Sequence, residues 1–347
     1  MNVLNQTLLT VLVCLFITIP VEVDSCTRVV YKGKNNIILT ARSMDWKDDI
    51  LTNLWIFPRG MERTGVVGPQ SVKWKSKYGS VIASGYDIST TDGMNEKGLV
   101  ANVLWLAESQ YPKWDQNSPG LSIAAWAQYV LDNFATVAEA VSDLSDEHIT
   151  IVTANVPGQE RLTTLHLSLS DRTGDNAIFE YIDGKLVVHH DSSYNVMTNS
   201  PIFEKQLALN EYWSEIGGTT MLPGTNRAAD RFARASFYTN AIPKTDDTRI
   251  AVAGAFSVIR NCSVPLGIST PGQPNISSTR WRSVCDHKNL VYYFETTTTP
   301  NTFWVDFKTV DFAENAPIKM LKLEGNTYAG NAAEAFVETK AFNFQGI

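Results

Sequence analysis

Histidine and cysteine, the side chains from which most metal and many nucleophilic sites are made, are scarce here: five histidines and four cysteines in 347 residues. His148, His166, His189, His190 and His287 show no metal-ligand spacing, and the adjacent His189 and His190 face opposite ways on an extended run. No metal or other cofactor is expected. No Gly-x-Ser-x-Gly elbow occurs. Gly93 and Gly98 have the spacing of a phosphate-binding loop, but Leu99 stands where Lys-Ser/Thr is required. The surroundings of the cysteines are not those of a papain-type enzyme. There is no basic block, and the formal net charge is −7, so nucleic acid is excluded as a partner. No repeat, low-complexity tract or Pro-rich linker divides the chain after its leader. With 44% hydrophobic and 19% charged residues the balance is that of a globular protein.

No Lys or Arg precedes Arg28, yet the leader has the other marks of export. Leu8 to Pro20 is apolar and uncharged, too short for a comfortable membrane span. Val23 and Ser25 stand at −3 and −1 of a cut before Cys26, as signal peptidase requires. Residues 1–25 therefore read as a signal peptide and 26–347 as one domain, periplasmic or secreted, with no membrane span. A lipoprotein signal is the competing reading; Val23 and Asp24 fit it poorly, and lipidation would block Cys26. Once Cys14 leaves, Cys26, Cys262 and Cys285 remain. Pairing Cys262 with Cys285 frees Cys26, and two buried free thiols are the alternative.

Strands are predicted at Thr27–Tyr31, Ile37–Trp46, Leu51–Phe57, Ser80–Ala83 and Leu99–Trp105, with turns at 32–36 and 95–98. Ile123, Trp126, Val130, Leu131 and Phe134 have helical spacing, and Thr136–Glu139 is a capping box for a second helix. A meander follows at Thr164–Leu169, Ala177–Ile182 and Leu186–His190, then a helix over 227–240, then strands at Leu290–Thr296 and Thr302–Phe307. This order points to an α+β or layered α/β domain, two sheets with helices outside them.

A cut at Ser25–Cys26 would leave one residue with a thiol and a free α-amine, whose ordinary pKa is about 7.7–8.0. Nucleophile and base are then joined covalently, so little orientational entropy remains to be lost. An N-terminal amine is a known activator of a Thr nucleophile, and a thiol is easier to deprotonate. Cys26-Thr27-Arg28, Ala41 to Trp46, Asp92 to Leu99, Met197 to Pro201 and Asp230 to Arg234, in this order, resemble the choloylglycine hydrolase family. That family contains bile salt hydrolases and penicillin V acylases and belongs to the N-terminal-nucleophile (Ntn) hydrolases. The resemblance spans Cys26 to about residue 320.

The resemblance implies a four-layer αββα sandwich and an amidase working through an acyl-thioester. It makes Cys26 the nucleophile, with its amine as base. Asp45 would accept a hydrogen bond from the amine, and Arg42 would favour thiolate. Asn199 would donate to the oxyanion, and Arg231 would steady Asp45. Read alone, Arg42 and Asp45 are ordinary strand charges on opposite faces unless a bulge intervenes. Asn199 alone is a turn residue, and Arg231 alone a solvated helix residue.

One position departs from the family pattern. Trp105 stands where many bile salt hydrolases carry a second oxyanion Asn, which leaves the Trp105 backbone N–H as the donor there. Trp46 and Trp105 together suit an aromatic wall for a phenoxy or fatty acyl group, with core packing as their plainer reading. The expected partner is a small N-acyl amide, of the penicillin V or acyl-homoserine-lactone kind, and conjugated bile salts are the second choice. A non-catalytic exported or lipid-anchored binder is the alternative of another class. The stretch between Asn199 and Arg231 looks shorter than in Gram-positive members, where it aids tetramer formation; self-association is compatible with the sequence but not required by it. Asn261-Cys262-Ser263 and Asn275-Ile276-Ser277 are glycosylation sequons, relevant in a eukaryotic host.

Overall fold

The computed structural model describes residues 25–218, 220–269 and 277–347. The expected leader, apart from Ser25, and Asn275 of the second sequon lie outside the described residues. Among the described residues no helix is long and apolar enough to cross a membrane.

Two large sheets face each other. The first runs Val196–Met197, Thr27–Lys32, Ile38–Trp46, Ser278–Asp286, Val291–Thr296, Phe303–Asp306, Gly330–Asn331, with every pair antiparallel except the last. The second is antiparallel throughout: Lys185–His190, Asn176–Ile182, Leu165–Ser170, Val100–Trp105, Ser89–Asn95, Ser80–Gly85, Leu54–Phe57, Lys319–Leu321, Val337–Glu338. Helices α1 (Trp126–Asn133) and α2 (Val137–Leu144) cover the outside of the second sheet. Helices α4 (Ala228–Ala241) and α5 (Thr248–Asn261) cover the outside of the first, and α3 (Phe203–Ile216) packs against α4. The result is an α+β sandwich with helices outside two antiparallel sheets.

Central strands such as Ile38–Trp46 and Ser80–Gly85 are buried on both faces because they have a layer on either side. The side-chain period of two divides their residues between two cores. Leu54 and Ile56 enter the core that includes the space between the sheets, while Trp55 and Phe57 enter the one beneath α1. The turn at 32–36 is made by Asn35 and Asn36 at φ 50° and 57°. It sets the register that pairs Thr27 with Ser43, and so places Cys26 opposite Met44. At the 95–98 turn Gly98 adopts φ 84°, and a Cβ there would lie 3.0 Å from the His287 carbonyl oxygen.

The predicted 122–134 helix begins as a 3-10 turn, Ile123–Ala125, before α1. Thr136 Oγ1 accepts from the Glu139 amide at 3.2 Å, while the Glu139 carboxylate takes the Ala135 amide at 2.7 Å instead of closing the box on Thr136. Cys262 and Cys285 are both free, which overturns the bridge weighed from the cysteine count. The cause is topological. Cys262 ends α5, its sulfur 3.8 Å from the Arg231 carbonyl. Cys285 pairs with Thr40 and Tyr292, which reach across to the second sheet. The two thiols therefore lie on opposite faces of the first sheet.

Candidate active site

Alternation along Ile38–Trp46 is what builds this site. Arg42, Met44 and Trp46 point between the sheets, and Ser43 and Asp45 point to the helix layer. The partner strand does carry a bulge, between Thr279 and Trp281, but Arg42 and Asp45 still fall on opposite faces. Cys26, just before Thr27, sits between them. Its sulfur lies 3.9 Å from Met44 Sδ and receives the Asp45 backbone N–H at 3.5 Å.

On the inter-sheet side the Arg42 guanidinium donates to the Thr91 carbonyl, to the Val103 carbonyl at 2.7 Å, and lies 3.7 Å from Asp92. Asp92 is fully buried. It accepts from Asn102 Nδ2 at 2.6 Å, Ser283 Oγ at 3.2 Å and the Tyr292 hydroxyl. Arg42 is thus anchored to the second sheet through a counter-ion that sequence reasoning placed in a motif without giving it a role.

On the helix side Arg231 is wholly buried, unlike an ordinary helix arginine. Nη1 donates to the Cys26 carbonyl at 2.5 Å and to Thr27 Oγ1 at 2.6 Å, Nη2 to Asn199 Oδ1 at 2.8 Å, and Nε to the Asn226 carbonyl at 3.0 Å. Asp45 lies 4.0 Å away and is held by Thr279 Oγ1 at 2.5 Å and Ser43 Oγ at 3.3 Å. The Cys26 nitrogen, a peptide N–H while Ser25 is attached, donates to Asn199 Oδ1 at 2.5 Å rather than to Asp45. The orientation of the Asn199 amide follows from its neighbours. Arg231 can only donate, so it must meet the oxygen, and the Trp105 carbonyl can only accept, so it takes Nδ2, at 2.7 Å. One Nδ2 hydrogen is used there and the second is left over.

Burial pushes the Cys26 thiol up, against Arg42, the Asp45 backbone N–H and Arg231, which pull it down. Burial thus works against the thiolate, so a base that takes the thiol proton favours attack by sulfur. Burial also raises the Asp45 carboxyl, to about 6, although Arg231, Thr279 and Ser43 oppose it.

The sulfur opens on a pocket of about 720 Å³, mouth included, lined mostly by apolar side chains such as Met44, Ile50, Ile88, Val103, Leu104 and Ile123. Trp46 and Trp105 form one wall, with ring centroids 5.8 Å apart and the Trp46 indole N–H on the Tyr86 hydroxyl at 2.9 Å. Each residue singled out in the sequence thus comes to Cys26 or to this wall. Those that sequence reasoning missed are Asp92, Asn102, Tyr292 and Thr279. Asp92, Asn102 and Tyr292 come together at Arg42 only when the sheets are stacked, and Thr279 meets Asp45 only through the pairing of Ser278–Asp286 with Ile38–Trp46. Among the described residues no group of three or more His, Cys, Asp or Glu is placed to hold a metal ion.

A buried cysteine at a strand end, two arginines on either side of it and an apolar cleft between antiparallel sheets define an amidase-type site on an αββα frame. The chain belongs to the linear amide C–N hydrolases of the choloylglycine hydrolase family, whose sequence profile matches residues 26–320. It is 56% identical to the penicillin V acylase of Pectobacterium atrosepticum over 93% of each chain. It is 26% identical to the bile salt hydrolase/transferase of Clostridium perfringens over 93% of this chain and 99% of that one. Among solved structures, penicillin V acylase from Agrobacterium tumefaciens superposes with a TM-score of 0.87 at 64% identity, over 93% of this chain and all of that one. A variant of the conjugated bile acid hydrolase of Clostridium perfringens shares the fold, with a TM-score of 0.74 at 23% identity over 87% of this chain and 98% of that one.

Proposed function

We propose that this chain is exported, cut between Ser25 and Cys26, and then hydrolyses N-acyl amides with an aromatic or fatty acyl group, as a penicillin V acylase or an acyl-homoserine-lactone acylase does. One observation carries the reading: the Cys26 sulfur opens on an apolar, tryptophan-walled pocket while the Cys26 nitrogen donates to Asn199 Oδ1, which Arg231 in turn holds in place. The family match begins at Cys26, and the relatives at 56% and 64% identity are penicillin V acylases.

After the cut the nitrogen becomes an amine. Asn199 Oδ1 accepts one of its hydrogens and turns its lone pair to the thiol. The amine takes the thiol proton, sulfur attacks the amide carbonyl, and the second Nδ2 hydrogen of Asn199 meets the oxyanion. Collapse of the tetrahedral species breaks the C–N bond, and the ammonium gives its proton to the leaving amine. Water, deprotonated by the same amine, then releases the acid from the thioester. Asp45 acts through Arg231 in this scheme, at one remove from the amine.

The test is made on the secreted protein. Its intact mass should correspond to a chain beginning at an unmodified Cys26, and Cys26→Ala should lose all turnover of phenoxymethylpenicillin. A blocked terminus or an active alanine variant ends the proposal.

A further inference from the structure

The last residues of the chain lie beyond the stretch that matches the family profile, yet they reach the pocket. Phe344 is buried against the Arg63 guanidinium and Phe342, and Phe342 packs on Trp55 and Phe57 and so anchors the tail on the second sheet. The next residue, Gln345, lines the Cys26 pocket and makes three hydrogen bonds to three separate segments. Its backbone N–H donates to the Ile88 carbonyl at 2.9 Å. Its carbonyl accepts from Ser122 Oγ at 2.6 Å, and its side-chain Nε2 donates to the Asn155 carbonyl at 2.8 Å.

Each of these partners is a pocket-wall residue or the immediate neighbour of one. Ile88 lines the pocket, Ser122 precedes Ile123, and Asn155 precedes Val156 and Pro157. The third segment is a narrow hairpin. Val156 N–H donates to the Arg161 carbonyl at 2.8 Å, and Thr163 N–H donates to the Ala154 carbonyl at 2.8 Å. On its far side Arg161 lies over the Trp105 ring, 4.0 Å from its centroid. The hairpin is held at its base by the Leu106 N–H on the Thr164 carbonyl at 3.0 Å, and further out by a cation–π contact on the tryptophan wall and by the Gln345 amide.

We propose that Gln345 is a specificity-determining residue, whose side-chain amide pins the 153–164 hairpin and thereby fixes the length of acyl group the pocket takes. This rests on the reading of the pocket as the acyl site. Loss of that amide frees the Val156–Pro157 wall to move outward, while Cys26, Asn199 and Arg231 keep their places. Binding of long acyl groups gains, binding of the compact phenoxyacetyl group weakens, and the chemical step is unaffected.

The experiment compares wild type, Gln345→Ala and the isosteric Gln345→Glu, which keeps the size but loses the N–H donor. Hydrolysis of phenoxyacetyl, hexanoyl and dodecanoyl amides of one amine is measured, together with hydrogen exchange at residues 153–164. Both variants should shift the dodecanoyl-to-phenoxyacetyl ratio of kcat/KM about five-fold or more through KM, and both should exchange the hairpin amides faster by about the same factor. Ratios and exchange within two-fold of wild type in both variants overturn the proposal. A shift confined to the alanine variant also overturns it, because side-chain volume would then be the cause. Failure of wild type to hydrolyse any of the three amides instead strikes the amidase reading, and the exchange data still decide whether Gln345 pins the hairpin.

Discussion

Cys26 is enclosed by two arginines that meet its needs from opposite faces of one strand. Arg42 is tied to the second sheet by two carbonyls and by Asp92, all away from water. Its removal strands a buried carboxylate, which burial already pushes up. Arg42→Leu should therefore destabilise the fold by about 3 kcal/mol in urea unfolding. The double change with Asp92→Asn should recover part of that loss, and additive losses would mean the pair is not coupled. Asp45 raises a different question. Its carboxyl is held near 6, so in the folded protein it gains its charge only as the pH rises past that value. Only then does it fully balance Arg231, which fixes both the Cys26 carbonyl and Asn199. In wild type kcat/KM should rise with pH through about 6, in addition to the later rise as the amine loses its proton. Asp45→Asn should lose the lower limb alone. A profile identical in both proteins would remove Asp45 from the charge network.

At the scale of elements, Asn199 owes its position to a polar brace behind it. Glu180 lies buried on the Asn176–Ile182 strand and accepts from the Phe203 amide at the start of α3, at 3.1 Å to each oxygen. It also holds His166 at 3.1 Å and His189 at 3.3 Å, and His166 in turn reaches the Thr198 carbonyl at 2.8 Å. Burial alone would raise this carboxyl, but the hydrogen bonds of His166 and His189, the charge of His166 and the Phe203 N–H bring it down to about 2. A depressed carboxyl contributes stability that is present above its unfolded value, about 4.3, and lost as the pH falls towards 2. Glu180→Gln should thus be less stable than wild type at pH 7 by about 2 kcal/mol, and the gap should close between pH 4.5 and 2. A gap constant over that range in urea titrations would show that the charge is not what matters. The same brace explains why α3 was hidden in the sequence. Its N-cap residue, Ile202, makes no side-chain cap, and the group that caps it comes from a distant strand. The helix over 227–240, by contrast, was predicted and found within a residue as α4, and Thr27–Trp46 was legible because its two strands and Asn-rich turn are local signals.

For the molecule as a whole, what could be read in advance was the set of residues that share a strand or a turn. What could not be read was which side of a layer each would occupy. Arg231 looks solvated until Cys26, Thr27 and Asn199 are brought to it from two other segments, and Gln345 looks like tail until Ile88, Ser122 and Asn155 surround it. The layers also sort the three cysteines, a distinction that counting cannot make. Cys26 faces the pocket between the sheets. Cys262 is sealed between α5 and α4, and Cys285 is sealed between the sheets, its thiol pushed well up by burial. A thiol in an apolar enclosure is unreactive, whereas one at the floor of an open cleft is reached by a small alkylating reagent. Iodoacetamide should therefore modify the folded protein once, at Cys26, with loss of activity, and modify Cys262 and Cys285 only after unfolding. Because neither of those two is bridged, a reducing agent should leave the melting temperature unchanged. A reductant-dependent melting temperature would restore the disulfide, and alkylation of Cys285 in the folded state would mean that the space between the sheets opens beyond the pocket.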